Sequence, residues 1–162
     1  MSGDLLESIK LIAFDVDGVF TDGRFYLSDS GVESKAFNTQ DGLGIRRLLN
    51  SGIAVAVISG RKSAAVAKRM SELGVKHLAE GCPDKIIALD EIISSLKISA
   101  SECAYVGDDV SDLPLLNYVG VSIAVANAVP ELHLKCDYST SANGGFGAVR
   151  EVCELILTAQ SQ

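Results

Sequence analysis

Two aspartates two residues apart, Asp15-Val16-Asp17, follow the apolar run Ile9-Lys10-Leu11-Ile12-Ala13-Phe14 and precede Gly18. A strand over that run leaves the core where the carboxylates begin, and Gly18 lets the chain turn sharply without a Cβ. Such an edge can hold a divalent cation and present one carboxylate as a nucleophile. The reaction that uses both is phosphoryl transfer.

Other residues of the right types stand at the ends of other strand-like runs. Ser59-Gly60-Arg61 follows Ile53–Ile58, Pro83-Asp84-Lys85 opens the helix after His77–Ala79, and Gly107-Asp108-Asp109 follows Ala104–Val106, with Asp112 just beyond. Open α/β sheets bind ligands beyond the carboxyl ends of their strands, so these residues are predicted to meet at one edge. Asp108, with an oxygen from the first strand end, can complete a Mg²⁺ site. Ser59 and the N–H groups after it, Gly60 included, would donate to phosphate oxygens. Lys85 is a cation in the first turn of a helix, against the macrodipole, and a phosphate held there would resolve the conflict. Arg61 reads equally well as a substrate contact or a solvated side chain.

Competing motifs fail on spacing. Counted from Asp15, an EF-hand would place its glycine at Phe20 and its last glutamate at Tyr26. Gly42-Leu43-Gly44 has Arg47 where a dinucleotide loop needs glycine, and Gly60-Arg61-Lys62-Ser63 separates the glycine and lysine of a P-loop.

The elements that must position these residues alternate. Strands are predicted over Leu11–Phe14, Ile53–Ile58, His77–Ala79, Ala104–Val106 and Val121–Ala124, several too continuously apolar for a sheet with one wet face. Helices are predicted over Lys62–Leu73, Lys85–Leu96 and Gly147–Thr158, and Ser99 with Glu102 reads as a capping box on a short turn. The fold class is α/β: a three-layer, doubly wound parallel sheet of Rossmann-like type, one domain over residues 1–162. Residues 23–39 break the rhythm: Arg24–Leu27 and Glu33–Phe37 flank the turn-rich Ser28-Asp29-Ser30-Gly31, a β-hairpin inserted after the aspartate edge. Such a hairpin needs a surface to lean on, which makes it a small lid or an oligomer contact.

A net charge of −7 argues against a nucleic-acid partner, which needs a basic face. Cys82, Cys103, Cys136 and Cys153 form no CxxC pair, and His77 and His133 add too little for a zinc cluster. Free thiols, an acidic N-terminus unlike a signal peptide and no apolar run of about 20 residues predict a cytoplasmic protein without a membrane partner.

These residues resemble the four motifs of the haloacid dehalogenase superfamily: Asp15-Val16-Asp17-Gly18-Val19, then Ser59, then Lys85, then Gly107-Asp108-Asp109-Val110-Ser111-Asp112. The resemblance implies that Asp15 is the nucleophile that becomes an aspartyl phosphate. Asp17 is then the general acid/base, and its carbonyl joins Asp15 and Asp108 around Mg²⁺, with Asp109 and Asp112 in or near the outer shell. Asp15 to Gly23, Asp41-Gly42-Leu43-Gly44-Ile45, Ser59-Gly60-Arg61 and Gly144 to Glu151 are similar to the 3-deoxy-D-manno-octulosonate 8-phosphate phosphatase family. That family implies a sugar-acid phosphate substrate, a role in lipopolysaccharide precursor synthesis, no large cap domain, and a homotetramer whose hairpins help close a neighbour's site. Arg61 matches the octulosonate group, whereas sialic-acid-type 9-phosphate phosphatases tend to have glutamate there. Phe146 and Asn127 depart from the family, which often has a charged residue and an aspartate at those places. The alternatives are the same chemistry on N-acylneuraminate 9-phosphate or another phosphosugar, a phosphoacceptor signalling domain, or an idle scaffold.

Overall fold

The computed structural model describes residues 3–161. After a short first helix, α1 (Gly3–Glu7), comes β1 (Leu11–Phe14), every residue of which is buried. The sheet is completed by β4 (Ala54–Ser59), β5 (His77–Glu80), β6 (Cys103–Gly107), β7 (Val121–Ala124) and β8 (Tyr138–Ser139), once the hairpin β2 (Tyr26–Leu27) and β3 (Glu33–Ser34) is set aside. The order is β5-β4-β1-β6-β7-β8, and every pairing in it is parallel. The chain builds outward from β1 to β5, then returns to β6 on the other side of β1. The β1/β6 boundary is therefore the topological switch point, where such sheets bind ligands.

Helices cover both faces, which is why β1, β6 and β7 have no exposed residue. α2 (Thr39–Asn50), α3 (Ala64–Leu73) and α7 (Ala148–Ala159) form one layer; α4 (Lys85–Leu96) and α5 (Leu113–Leu116) pack on the other face, and α6 (Pro130–His133) links β7 to β8. Local chemistry sets the boundaries. Asp84 accepts the N–H groups of Ile86 and Ile87 to open α4, and Gly74, with φ of 84°, ends α3. The predicted capping box is present, with Ser99 and Glu102 closing a single 3₁₀ turn.

Helix α2 was not anticipated from the sequence. It contains Gly42 and Gly44, each costing about 1 kcal/mol in helix propensity against alanine. Packing explains them. A Cβ on Gly42 would lie 2.4 Å from Arg69 Nη2, and one on Gly44 would meet the Arg150 Cδ at 3.0 Å and the Cys153 Cβ at 3.1 Å. The glycines let α2 lie against α7 and α3. Asp41, buried in the first turn of α2, accepts the Arg150 N–H at 2.9 Å and so caps α7, which begins after a glycine with no capping side chain of its own. The hairpin strands are shorter than predicted, two residues each; Tyr26 and Leu27 stand exposed on β2, and Val32 is exposed just before β3.

Candidate active site

Because β4, β1 and β6 are neighbours, Ser59, Asp15 and Asp108 leave the sheet side by side. They open into a cleft of about 570 Å³. Asp17, Gly60, Arg61, Lys85 and Asp109 also line it. Of the predicted residues only Asp112 lies beneath the cleft, fully buried.

Lys85 stands at the centre. Its ammonium donates to Asp15 Oδ1 at 2.8 Å, to Asp112 Oδ1 at 2.7 Å and to the Tyr105 hydroxyl at 3.1 Å. Tyr105 donates in turn to Asp112 Oδ1 at 2.7 Å, while Asp112 Oδ2 accepts the backbone N–H groups of Asp108 at 3.0 Å and Asp109 at 3.3 Å. Asp112 thus has four donors, about the capacity of a carboxylate. It anchors the lysine and the loop after β6 rather than offering a free oxygen. The lysine's unfavourable place in the first turn of α4 is offset by two carboxylates.

Burial pushes the Asp15 carboxyl up to about 6; Lys85 opposes this and Asp112 adds to it. Burial, then the charges of Asp15, Asp112 and Asp109, push Asp108 up to about 7. For Lys85 burial favours the neutral amine, but Asp15 and Asp112 outweigh it and raise the pKa. Clustered, desolvated carboxylates of this kind call for a cation. Asp15, Asp108 and Asp112 each bring an oxygen within 4.8 Å of the others. With Asp112 saturated, Asp15 and Asp108 are the side chains left to ligate. A Cβ on Gly18 would lie 2.0 Å from Asp108 Oδ2, so the loop after β1 closes directly on that carboxylate. This all-oxygen set fits a small, hard divalent cation that keeps several waters.

On the other side of the cleft, the buried Ser59 hydroxyl oxygen accepts the Arg61 N–H at 3.3 Å, which leaves its own hydrogen free to donate. Asp109 turns its carboxylate onto the Val110 N–H at 2.7 Å, capping the short helix there. The Arg61 guanidinium pairs with Glu33 of the hairpin at 2.6 Å and stacks 4.2 Å from the centre of the Phe25 ring. Asp17 Oδ1 accepts from Lys35, also on the hairpin. His133 is structural, bridging Ser139 Oγ at 2.9 Å and the Ala128 carbonyl at 3.2 Å.

Two residues around the site, Tyr105 and Lys35, escaped sequence reading, and a third, Asn127, was read only as a departure from the family. Tyr105 looked like one more apolar position of β6. Asn127 accepts the Gly144 N–H at 2.6 Å, holding the Gly144-Gly145 loop on the loop after β1. Lys35 carried a readable signal: two-residue alternation puts it on the same hairpin face as Glu33, an inward-facing charge pair.

Residues 78–152 match the model of haloacid dehalogenase-like hydrolases. The chain is 49% identical over 156 residues to the 3-deoxy-D-manno-octulosonate 8-phosphate phosphatase of Escherichia coli K12, spanning 96% of this chain and 83% of that protein. The chain belongs to this phosphatase family. Two solved members share its fold. The 3-deoxy-D-manno-octulosonate 8-phosphate phosphatase of Yersinia pestis superimposes with a TM-score of 0.96 at 46% identity, over 98% of this chain and 86% of that one. The enzyme of Moraxella catarrhalis, solved with a magnesium ion, a phosphate ion and a KDO molecule, superimposes with a TM-score of 0.95 at 46% identity, over 98% and 91% of the two chains. The α/β sheet without a large cap domain is thus that of the family. The matched segment 78–152 contains Lys85 and the loop from Asp108 to Asp112. The Asp15 edge and Ser59 lie outside it, within the longer similarity. Asn127 supplies the Gly144-Gly145 loop with the acceptor oxygen for Gly144. Phe146 is 65% exposed on that same loop.

Proposed function

We propose that this chain is a Mg²⁺-dependent phosphatase that hydrolyses 3-deoxy-D-manno-octulosonate 8-phosphate to the free sugar acid and phosphate. The observation that carries it is the Lys85 ammonium bridging Asp15 and Asp112 in the cleft that also holds Asp17, Ser59 and Asp108. The similarity to the octulosonate phosphatases supplies the substrate.

Asp15, its carboxylate held by Lys85, attacks phosphorus; an Asp15–phosphorus bond forms and the bond to the sugar oxygen breaks. Asp17 gives its proton to that oxygen as it leaves. Water then passes a proton to Asp17 and attacks phosphorus, releasing phosphate and restoring the Asp15 carboxylate. Ser59 and the Gly60 N–H hold the phosphate oxygens throughout, and Lys85, whose three N–H groups already have protein partners, joins them by turning one from Asp15 to the phosphate. Asp15, Asp108 and the Asp17 carbonyl would hold Mg²⁺, with Asp109 and Asp112 outside them. The ion would offset the charge of the phosphate against the carboxylates. Arg61, at the mouth beside the hairpin, would meet the sugar acid.

We also assign to the chain a single catalytic domain, a homotetramer joined through the hairpins, and a place in the cytoplasm. The exposed Tyr26, Leu27 and Val32 support the assembly. The four free cysteines fit a reducing compartment, and no helix among the described residues is long and apolar enough to cross a membrane.

The test is phosphate release from 3-deoxy-D-manno-octulosonate 8-phosphate, N-acetylneuraminate 9-phosphate and hexose phosphates, with Mg²⁺ and with chelator. The expected result is Mg²⁺-dependent turnover that strongly prefers the octulosonate. Preference for another ester would discard the substrate and keep the mechanism.

A further inference from the structure

Each carboxylate of the Asp15/Asp17 pair has its own lysine. The partner of Asp15 is Lys85, from the first turn of α4. The partner of Asp17 is Lys35, one residue past β3, whose ammonium donates to Asp17 Oδ1 and lies 3.5 Å from Glu33 Oε1 and 5.5 Å from the centre of the Phe25 ring. The Lys35 side chain is only 1% exposed. Asp17 lines the cleft, and Lys35 is not among the residues lining it. With its side chain buried and absent from the cleft wall, the lysine meets the site through Asp17. No donor from the described residues reaches Asp17 Oδ2.

The geometry points to Lys35 as a positioning residue for Asp17: the hairpin of the same chain fixes one carboxylate oxygen and leaves the other turned to the leaving group. This rests on the phosphatase reading above, in which Asp17 is the general acid. Anchoring the hairpin does not require a lysine here. A buried ion pair is commonly no more stabilising than apolar side chains of similar volume, and lysine is almost never buried unless paired. Substrate contact does not explain it either, because the Lys35 side chain is buried and does not line the cleft. A short ribbon that is marginal alone thus carries part of the reaction geometry. Glu33, which pairs with both Lys35 and Arg61, ties the acid/base to the residue assigned to the sugar acid.

The test uses leaving groups. An alkoxide needs a proton from a general acid, whereas p-nitrophenolate departs without one. Single-turnover phosphoryl transfer is measured with Mg²⁺ on 3-deoxy-D-manno-octulosonate 8-phosphate and on p-nitrophenyl phosphate. Wild type, Lys35→Met, Lys35→Gln, Lys35→Arg, Asp17→Asn and the Lys35→Met/Asp17→Asn double variant are compared. Lys35→Met and Lys35→Gln are expected to slow the sugar ester about 10- to 100-fold and the aryl ester less than about 3-fold. Lys35→Arg should recover much of the loss, and the double variant should be no slower than Asp17→Asn. Equal slowing of both esters, a change in KM alone, additivity with Asp17→Asn, or loss of the fold in both neutral variants would each overturn the assignment and leave Lys35 an anchor. A wild-type enzyme that cleaves other alkyl phosphates but not the octulosonate overturns only the substrate, and the comparison runs on the ester it accepts. A wild-type enzyme that cleaves no ester overturns both.

Discussion

The two sides of the cleft are built differently. On the core side, Asp15, Lys85, Tyr105 and Asp112 leave buried strands and the first turns of helices, and each polar atom of Asp112 is satisfied by a fixed partner. On the hairpin side, Lys35, Glu33, Arg61 and Phe25 meet across a ribbon of two-residue strands with exposed apolar neighbours. The core side has little freedom to vary without losing the fold, and it holds the groups that do chemistry common to many phosphate esters. The hairpin side can change at small structural expense, which suits it to setting which ester fits and how Asp17 is aimed.

Breaking the core side should have the largest effect. Asp15→Asn is expected to lower phosphate release by at least about 10³-fold, measured under Mg²⁺ saturation. The same variant should melt about a few degrees higher than wild type without metal, because it removes a carboxylate whose burial cost outweighs its contact with Lys85. Retained turnover would move the nucleophile elsewhere.

The loop behind the core side comes next. A Cβ on Gly144 would lie 1.7 Å from the Gly18 carbonyl oxygen, so Gly144→Ala must push the two loops apart. A loss of about 3 kcal/mol in urea unfolding is expected, with weaker metal binding. On the hairpin side, Arg61→Ala removes the contact to Glu33 and Phe25 without touching the reacting atoms. It should raise KM for the octulosonate about 5- to 10-fold and change kcat less than about 3-fold in steady-state assays. A collapse of kcat instead would place Arg61 on the phosphate.

A separate effect, on stability rather than turnover, is one of pH. Folded Asp15 and Asp108 titrate at about 6 and about 7, against an ordinary 3.8, so the folded state binds protons more tightly than the unfolded one. Metal-free stability should therefore fall as pH rises from about 4 to about 7 and level off above, by on the order of a few kcal/mol. Thermal melts across that range read it directly. Mg²⁺ should restore stability most at the upper end, where both carboxylates are ionised.

Much of the core side was legible because strand ends and charge types announce it. Asp15, Ser59 and Asp108 were each placed by an apolar run ending in a polar residue and Lys85 by the opening of the helix after His77–Ala79, and β1, β7 and α4 have the predicted limits. The hairpin side was legible only as a ribbon. That Lys35 reaches Asp17, or that Glu33 holds Arg61, depends on how the ribbon folds back, which no local pattern encodes. Helix α2 was hidden for a related reason: Gly42 and Gly44 weaken the local signal and make sense only against Arg69, Arg150 and Cys153. Tyr105 was read as core, and it is core, but its hydroxyl has a second task that hydropathy cannot show.

The most direct test of the account is to stop the enzyme during turnover of 3-deoxy-D-manno-octulosonate 8-phosphate with acid, reduce any acyl phosphate with tritiated borohydride, and locate the label by peptide sequencing. The account predicts label at Asp15, formed only with Mg²⁺ and absent from Asp15→Asn. Turnover without a labelled carboxylate, or label at another aspartate, would contradict it.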